Sequence, residues 1–282
     1  MREFLLDKVN IFLLKKGFTI KNLTRMCFDI LARKDDAILL IKVLEDANSV
    51  SREYSEEMVS FASYINASPL IISEKAVVKL DDNVVYSRFS ICTLNLNTLS
   101  NCINNKFPFI RRSHAGLTAS VSGKKFKEKR EELGYSLNAM SKKIGVTSRM
   151  IMKYESGNSE VTLNRAMKIY DLVGHEVFNE IKVFSSHGVM ESRLETEISK
   201  KYSELGFEAS DTKKTPFDII AKKGEELIFT EVSDNVDPSL QPLSRLLDAD
   251  NLVIFNKKKP KNIPSMTKEE FMDFDKAHEL VK

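Results

Sequence analysis

Apolar residues recur at three- and four-residue spacing across residues 123–158, which reads as three short helices. Phe126, Arg130 and Leu133 lie at helical spacing in the first. Gly134 stops it, because a glycine just past a helix adopts the left-handed conformation without a Cβ clash. Ser136 caps the second helix, which turns Leu137, Met140 and Ile144 to one face and ends at Gly145. Thr147 caps the third, with Met150, Ile151 and Tyr154 available to a core. Two helices joined by Gly145-Val146-Thr147 form a helix-turn-helix, whose tight turn sets the second helix against a groove while the first crosses over it. Residues 162–174 continue as a fourth helix through Leu163, Ala166, Met167, Ile169 and Leu172, and residues 177–181 as a short fifth.

On either side the pattern changes to mixed helix and strand. Residues 1–16 form an amphipathic helix ending at Gly17; residues 28–32 and 37–44 are β-rich runs around the polar turn Lys34-Asp35-Asp36. A helix over 52–65 and a buried strand over 69–72 follow. Residues 77–80 and 84–89 read as a hairpin about Asp82-Asn83, a pair that tolerates the positive φ of such turns. A helix is expected over 95–103, then a linker carrying Arg111-Arg112, a strand over 117–121 and a Ser122-Gly123 turn. The C-terminal end adds a strand over 252–255, a basic loop over 257–261 and a helix opened by the Thr267-x-x-Glu270 capping box.

Sliding the chain along itself by 189 residues superposes its two ends without a gap. Leu5 falls on Leu194, Gly17-Phe18 on Gly206-Phe207, Phe28-Asp29-Ile30 on Phe217-Asp218-Ile219, Ala32 on Ala221, Lys34 on Lys223 and Val43 on Val232. A whole domain repeated around a different one is not a solenoid, which needs short contiguous units. It predicts two copies of one fold flanking the helical segment and packed together.

The chain has 282 residues, enough for two or three cores, and 42% apolar with 29% charged residues is ordinary for a soluble protein. No apolar run reaches the roughly 18 residues that span a bilayer, and the start carries charge throughout, so a cytoplasmic protein without membrane contact is expected. Cys27, Cys92 and Cys102 are odd in number and form no C-x-x-C, which indicates neither a disulfide framework nor a zinc site. His114, His175, His187 and His278 are scattered and read as structural or surface residues, so no metal or cofactor is expected.

Charge singles out the helical stretch. Residues 123–158 hold nine bases, Lys142, Lys143, Arg149 and Lys153 among them, against four acids, a net +5 in a chain whose total is +3. A basic face attracts phosphates whatever the base sequence.

The residues Arg130, Gly134, Ser136, Met140, Gly145, Val146, Thr147, Ile151, Tyr154, Glu155 and Gly157 resemble the Cro/C1 repressor type of helix-turn-helix. That resemblance implies an all-α DNA-binding domain over 116–184, with base readout by Ser148, Arg149 and Lys153. It also implies phosphate contacts at the caps Ser136 and Thr147, a structural Arg130–Glu155 pair and two-fold dimers. Leu137 stands where the family often has a DNA-contacting Gln, and Glu160-Val161 where it has a basic residue and Pro.

The repeated pattern resembles the restriction-endonuclease-like fold, whose nuclease motif is an Asp on one strand followed by Glu-x-Lys on the next. The first copy, over 1–115, has Asp29 and Lys42 but Leu40 at the Glu position; the second, over 190–282, has Asp218 but Phe229 and Glu231. Neither is complete, so no catalytic residue is expected. Glu53 and Glu56, which follow the first copy's strand, are further acids that a migrated site would use.

Taken over nearly the whole chain, including Leu80-x-Asp82-x-Val84-Val85-Tyr86-x-Arg88-Phe89, the sequence resembles archaeal helix-turn-helix transcriptional regulators. The expectation is an α+β, multidomain, non-enzymatic and sequence-specific regulator of double-stranded DNA that acts as a homodimer. A nucleic-acid-processing nuclease and a protein-binding adaptor, each docking through the helix-turn-helix, are the alternatives.

Overall fold

The structure is a computed structural model and describes residues 2–23, 26–113, 116–185 and 192–274. Helix α1 (Arg2–Lys15) turns Leu5, Val9 and Leu13 inward and is followed by Gly17, whose φ of +82° favours glycine. Strands β1 (Thr19–Asn22), β2 (Ile30–Lys34) and β3 (Ala37–Val43) then pair antiparallel. Ser51 caps α2 (Arg52–Tyr64) by accepting the Tyr54 N–H. The fully buried β4 (Ser68–Ile72) returns parallel to β3, the pairing that a helical crossover allows. A small ribbon, β5 (Lys75–Ala76) and β6 (Val78–Lys79), precedes β7 (Val84–Arg88), β8 (Ile91–Leu94) and α3 (Leu96–Ile103).

Next come β9 (Ile110–Ser113), β10 (Gly116–Ser122), α4 (Gly123–Glu132), α5 (Leu137–Ile144), α6 (Ser148–Glu155), β11 (Asn158–Thr162) and α7 (Leu163–Val173). The second α/β region holds α8 (Glu197–Glu204), β12 (Glu208–Asp211), β13 (Ile219–Lys223) and β14 (Glu226–Val232), then α9 (Leu240–Leu247), β15 (Asp250–Phe255), β16 (Ser265–Thr267) and α10 (Lys268–Met272). The Thr267 capping box forms as the sequence predicts.

One nine-stranded sheet, in the order β1-β2-β3-β4-β8-β7-β9-β10-β11, runs from the first α/β region into the helical domain. Arg111-Arg112 therefore lies in strand β9, not in the expected linker, because β9 pairs in parallel with β7 and antiparallel with β10. The expected division at 115/116 falls between these two paired strands. The expected Ser122-Gly123 turn is the N-terminus of α4.

The predicted hairpin about Asp82-Asn83 does not form. Asn83 does take a positive φ of 57°, but the Leu80 N–H donates upstream to the Glu74 carbonyl, β6 pairs with β5, and β7 turns back onto β8 through Phe89-Ser90. The fifth helix expected over 177–181 is a single 3-10 turn, His175–Val177. Beyond it the Asn179 and Ile181 N–H groups donate to the Ser120 and Pro108 carbonyls, partners that an isolated turn of helix cannot match. Leu133 is 47% exposed past the end of α4, and Met167 is exposed because α7 buries Ala166, Ile169 and Val173 instead. Leu137 and Met150 are half-buried.

The 189-residue offset holds in three dimensions. Lys34 Nζ donates to the Lys16 carbonyl at 2.8 Å, and Lys223 Nζ to the Leu205 carbonyl at 3.0 Å. Asp29 Oδ2 accepts the Val43 N–H, and Asp218 Oδ2 accepts the Val232 N–H, at 2.8 and 2.7 Å. The paired order β2-β3-β4-β8 is repeated by β13-β14-β15-β16.

The two copies share one core: Phe61 of α2 lies 5.6 and 6.0 Å from the rings of Phe217 and Phe229, while Leu240 and Leu243 of α9 join the cluster of Leu31 and Leu40. Arg33 Nη1 donates to the Leu246 carbonyl of α9 at 2.9 Å, and Lys222 Nζ to the Tyr64 carbonyl of α2 at 2.8 Å. Positions 33 and 222 are offset mates, so the contact is reciprocal, as across a two-fold axis. Buried Glu57 completes the junction by accepting from Arg193 and from the Lys213 N–H.

Candidate nucleic-acid interface

The helix-turn-helix is built by its punctuation. Ser136 Oγ accepts the Ala139 N–H at 3.1 Å to start α5, Gly145 ends α5 in the left-handed conformation at φ +79°, and Thr147 Oγ1 accepts the Met150 N–H at 3.2 Å to start α6. Each cap satisfies a backbone group that a short helix would otherwise leave to water. Met140, Ile144, Ile151 and Tyr154 are buried together with Phe126. The opposite side of α6 is left outward.

Two features hold α6 from behind. Arg130 and Glu155, each with a side chain only 9% exposed, meet through two parallel bonds, and Arg130 Nη1 also donates to the Tyr135 carbonyl at 2.8 Å. The Glu155 carboxylate holds the Arg130 guanidinium above its ordinary pKa, so the guanidinium keeps its charge. Gly123 is the second feature. A β-carbon there would stand 2.5 to 2.7 Å from the carbonyls of Gly157, Tyr154 and Glu155, so α4 can meet the end of α6 only through glycine. The local pattern around Gly123 predicts only a turn and carries no signal of this close approach.

Of the residues the sequence singles out, Arg149, Lys153, Lys142, Lys143, Ser136 and Thr147 are exposed and Ser148 is half-buried, its Oγ 3.3 Å from Ser141 Oγ. Arg149 and Lys153, four residues apart, share one face of α6. Two further residues, which no motif in the sequence marks, lie beside these. The Lys168 ammonium of α7 lies 3.2 Å from where a β-carbon on Gly145 would stand, which brings a further cation to the turn. Met152 is exposed on the same outward side as Arg149 and Lys153.

The endonuclease-like positions are arranged otherwise. Asp29 Oδ1 takes Arg2 Nη2 at 2.7 Å and Lys42 Nζ at 3.2 Å, and its other oxygen takes the Val43 N–H. Leu40, at the Glu position, is packed in the shared core. Two cations thus occupy the aspartate where a divalent metal would need carboxylate oxygens, and these residues do not fit such an ion. Glu53 is exposed on α2, and exposed Glu56 lies 3.7 Å from Arg52.

In the second copy Asp218 is exposed and Glu231 is buried, its two oxygens sharing the Asp237 N–H at 3.0 Å. Burial, reinforced by the nearby Asp218 and Asp237 carboxylates, pushes the Glu231 carboxyl up to about 7. Among the described residues no group of three or more His, Cys, Asp or Glu side chains is arranged to hold a metal. The three cysteines are free thiols, and His175 rests beside Tyr170 while His114, His187 and His278 lie outside the described residues. No helix among the described residues is long and apolar enough to cross a membrane.

A helix-turn-helix family profile matches residues 126–172, and a PD-(D/E)XK superfamily domain profile, the endonuclease-like class, matches residues 2–108. Relatives named "Putative HTH-type transcriptional regulatory protein" occur in Methanocaldococcus jannaschii, 30% identical over 100% of this chain and 96% of the relative, and in Archaeoglobus fulgidus, 30% identical over 100% and 97%. A third, in Thermococcus kodakarensis, is 27% identical over 100% and 95%. The chain belongs to this archaeal family of helix-turn-helix proteins. No solved structure matches it.

Proposed function

We propose that the chain is a sequence-specific transcriptional regulator that lays α6 in the major groove of double-stranded DNA, acts as a homodimer, and cuts nothing. The observation that carries this reading is the outward face of α6. Arg149 and Lys153 project from a helix whose other side is locked by Arg130–Glu155 and Gly123, so the two side chains are presented by a rigid support. Arg149 and Lys153 read bases with Ser148, while Lys142 and Lys143, with the caps Ser136 and Thr147, contact phosphate. Residues 116–184 act as the DNA-binding domain. Regions 1–115 and 190–282, joined through their shared core, act as its scaffold; Asp29 neutralised by Arg2 and Lys42 supports that role over cleavage. Genomic footprinting of the protein in its own cell tests the reading: a shared two-fold-symmetric sequence is expected, and scattered, salt-sensitive occupancy without one would overturn it.

A further inference from the structure

Resting on that reading, we infer that Met152 is a specificity-determining residue that reads the C5-methyl group of thymine. Met152 is 57% exposed, and it follows Ser148 by four residues and Arg149 by three, on a helix whose buried side is Ile151 and Tyr154. It is flanked by the cations proposed to contact bases, so a groove that receives Arg149 and Lys153 receives Met152 with them. A thioether has no strong donor or acceptor and cannot answer the hydrogen-bonding edges of guanine, cytosine or adenine. The apolar feature of the major groove is the thymine methyl, which marks an A·T pair and its orientation.

The side chain suits the task. Methionine is unbranched and polarisable, so it adjusts to a methyl group whose position shifts with local DNA shape. Among the described residues no hydrogen bond ties its side chain down, and no core cluster contains it. Burying one methyl group is worth about four-fold in affinity, small beside an arginine–guanine contact yet enough to rank related sites.

The test uses the full chain. Selection from random duplexes defines the bound sequence, and each thymine in it is then replaced singly by uracil, which removes only the methyl group. Dissociation constants are measured for the wild type, Met152→Ala and Met152→Leu. At one thymine position per half-site, uracil is expected to weaken wild type and Met152→Leu about four-fold and to leave Met152→Ala unchanged. Because the side chain is exposed, the melting temperatures of all three proteins should agree, which separates readout from folding. If every uracil costs wild type and Met152→Ala the same factor, or costs neither anything, the assignment is wrong while the regulator reading stands. A selection that yields no shared sequence overturns the regulator reading and this inference with it.

Discussion

Arg130 and Glu155 form a two-pronged ion pair, Nε to Oε1 at 2.5 Å and Nη2 to Oε2 at 3.1 Å, linking the last turn of α4 to the end of α6. Removing charge from one member of a buried pair leaves the other uncompensated, at a cost of about 3 kcal/mol. Glu155→Gln should lower the melting temperature of the full chain and speed amide exchange in α4 and α6. An unchanged melting curve would remove the pair from the account of how α6 is held.

Arg149→Ala should narrow the gap between a selected DNA sequence and random DNA by ~1 to 3 kcal/mol, since an arginine bonded to guanine carries discrimination. Lys142→Ala and Lys143→Ala should weaken both DNAs alike and each reduce the salt slope by about 1. Titrations at several salt concentrations check both. Equal losses on both DNAs would make Arg149 a phosphate contact.

Phe61→Ala removes a ring packed against Phe28, Phe217 and Phe229, and a fully buried phenylalanine costs ~3 to 5 kcal/mol to truncate. Because the ring touches both copies, hydrogen exchange should report lost protection in β2 and β14 together. Loss confined to one copy would mean that the copies unfold independently.

Glu231 gives the chain a pH signature. Its carboxyl is raised from 4.5 to about 7 by burial and by Asp218 and Asp237, so the fold favours the protonated form. This contribution is complete below about pH 4.5 and is lost as pH rises through about 7, a loss on the order of 3 kcal/mol. Glu231→Gln should therefore be more stable than the wild type at pH 8 and indistinguishable from it at pH 4. Parallel denaturation curves at the two pH values decide the matter.

Pure protein incubated in Mg²⁺ or Mn²⁺ with single-stranded, duplex and branched DNA and with RNA should leave all of them intact. Cleavage that disappears in an Asp29→Ala, Asp218→Ala double variant would overturn the scaffold role. Asp29→Ala alone should destabilise the first copy, because Arg2 and Lys42 both lose their carboxylate.

By itself the sequence determined what is local or periodic. Ser136, Gly145 and Thr147 announce the helix-turn-helix because caps and left-handed glycines act within a few residues of themselves. The 189-residue repeat, down to Asp29 and Asp218, was equally legible, because like residues at like spacing make like strands.

Tertiary structure alone decided which partners distant segments would find. The polar run Asn158–Thr162, in which Val161 is buried, becomes strand β11 because β10 supplies its hydrogen bonds; Arg111-Arg112 becomes a strand because β7 does the same. Gly123 is a contact with residues more than thirty positions away, and Arg33 and Lys222 each donate to a backbone carbonyl of the other copy, Leu246 and Tyr64, across copies that begin 189 residues apart. Such pairings are fixed by the collapse of two cores onto each other, a balance of burial and hydrogen bonding between segments that no local pattern encodes.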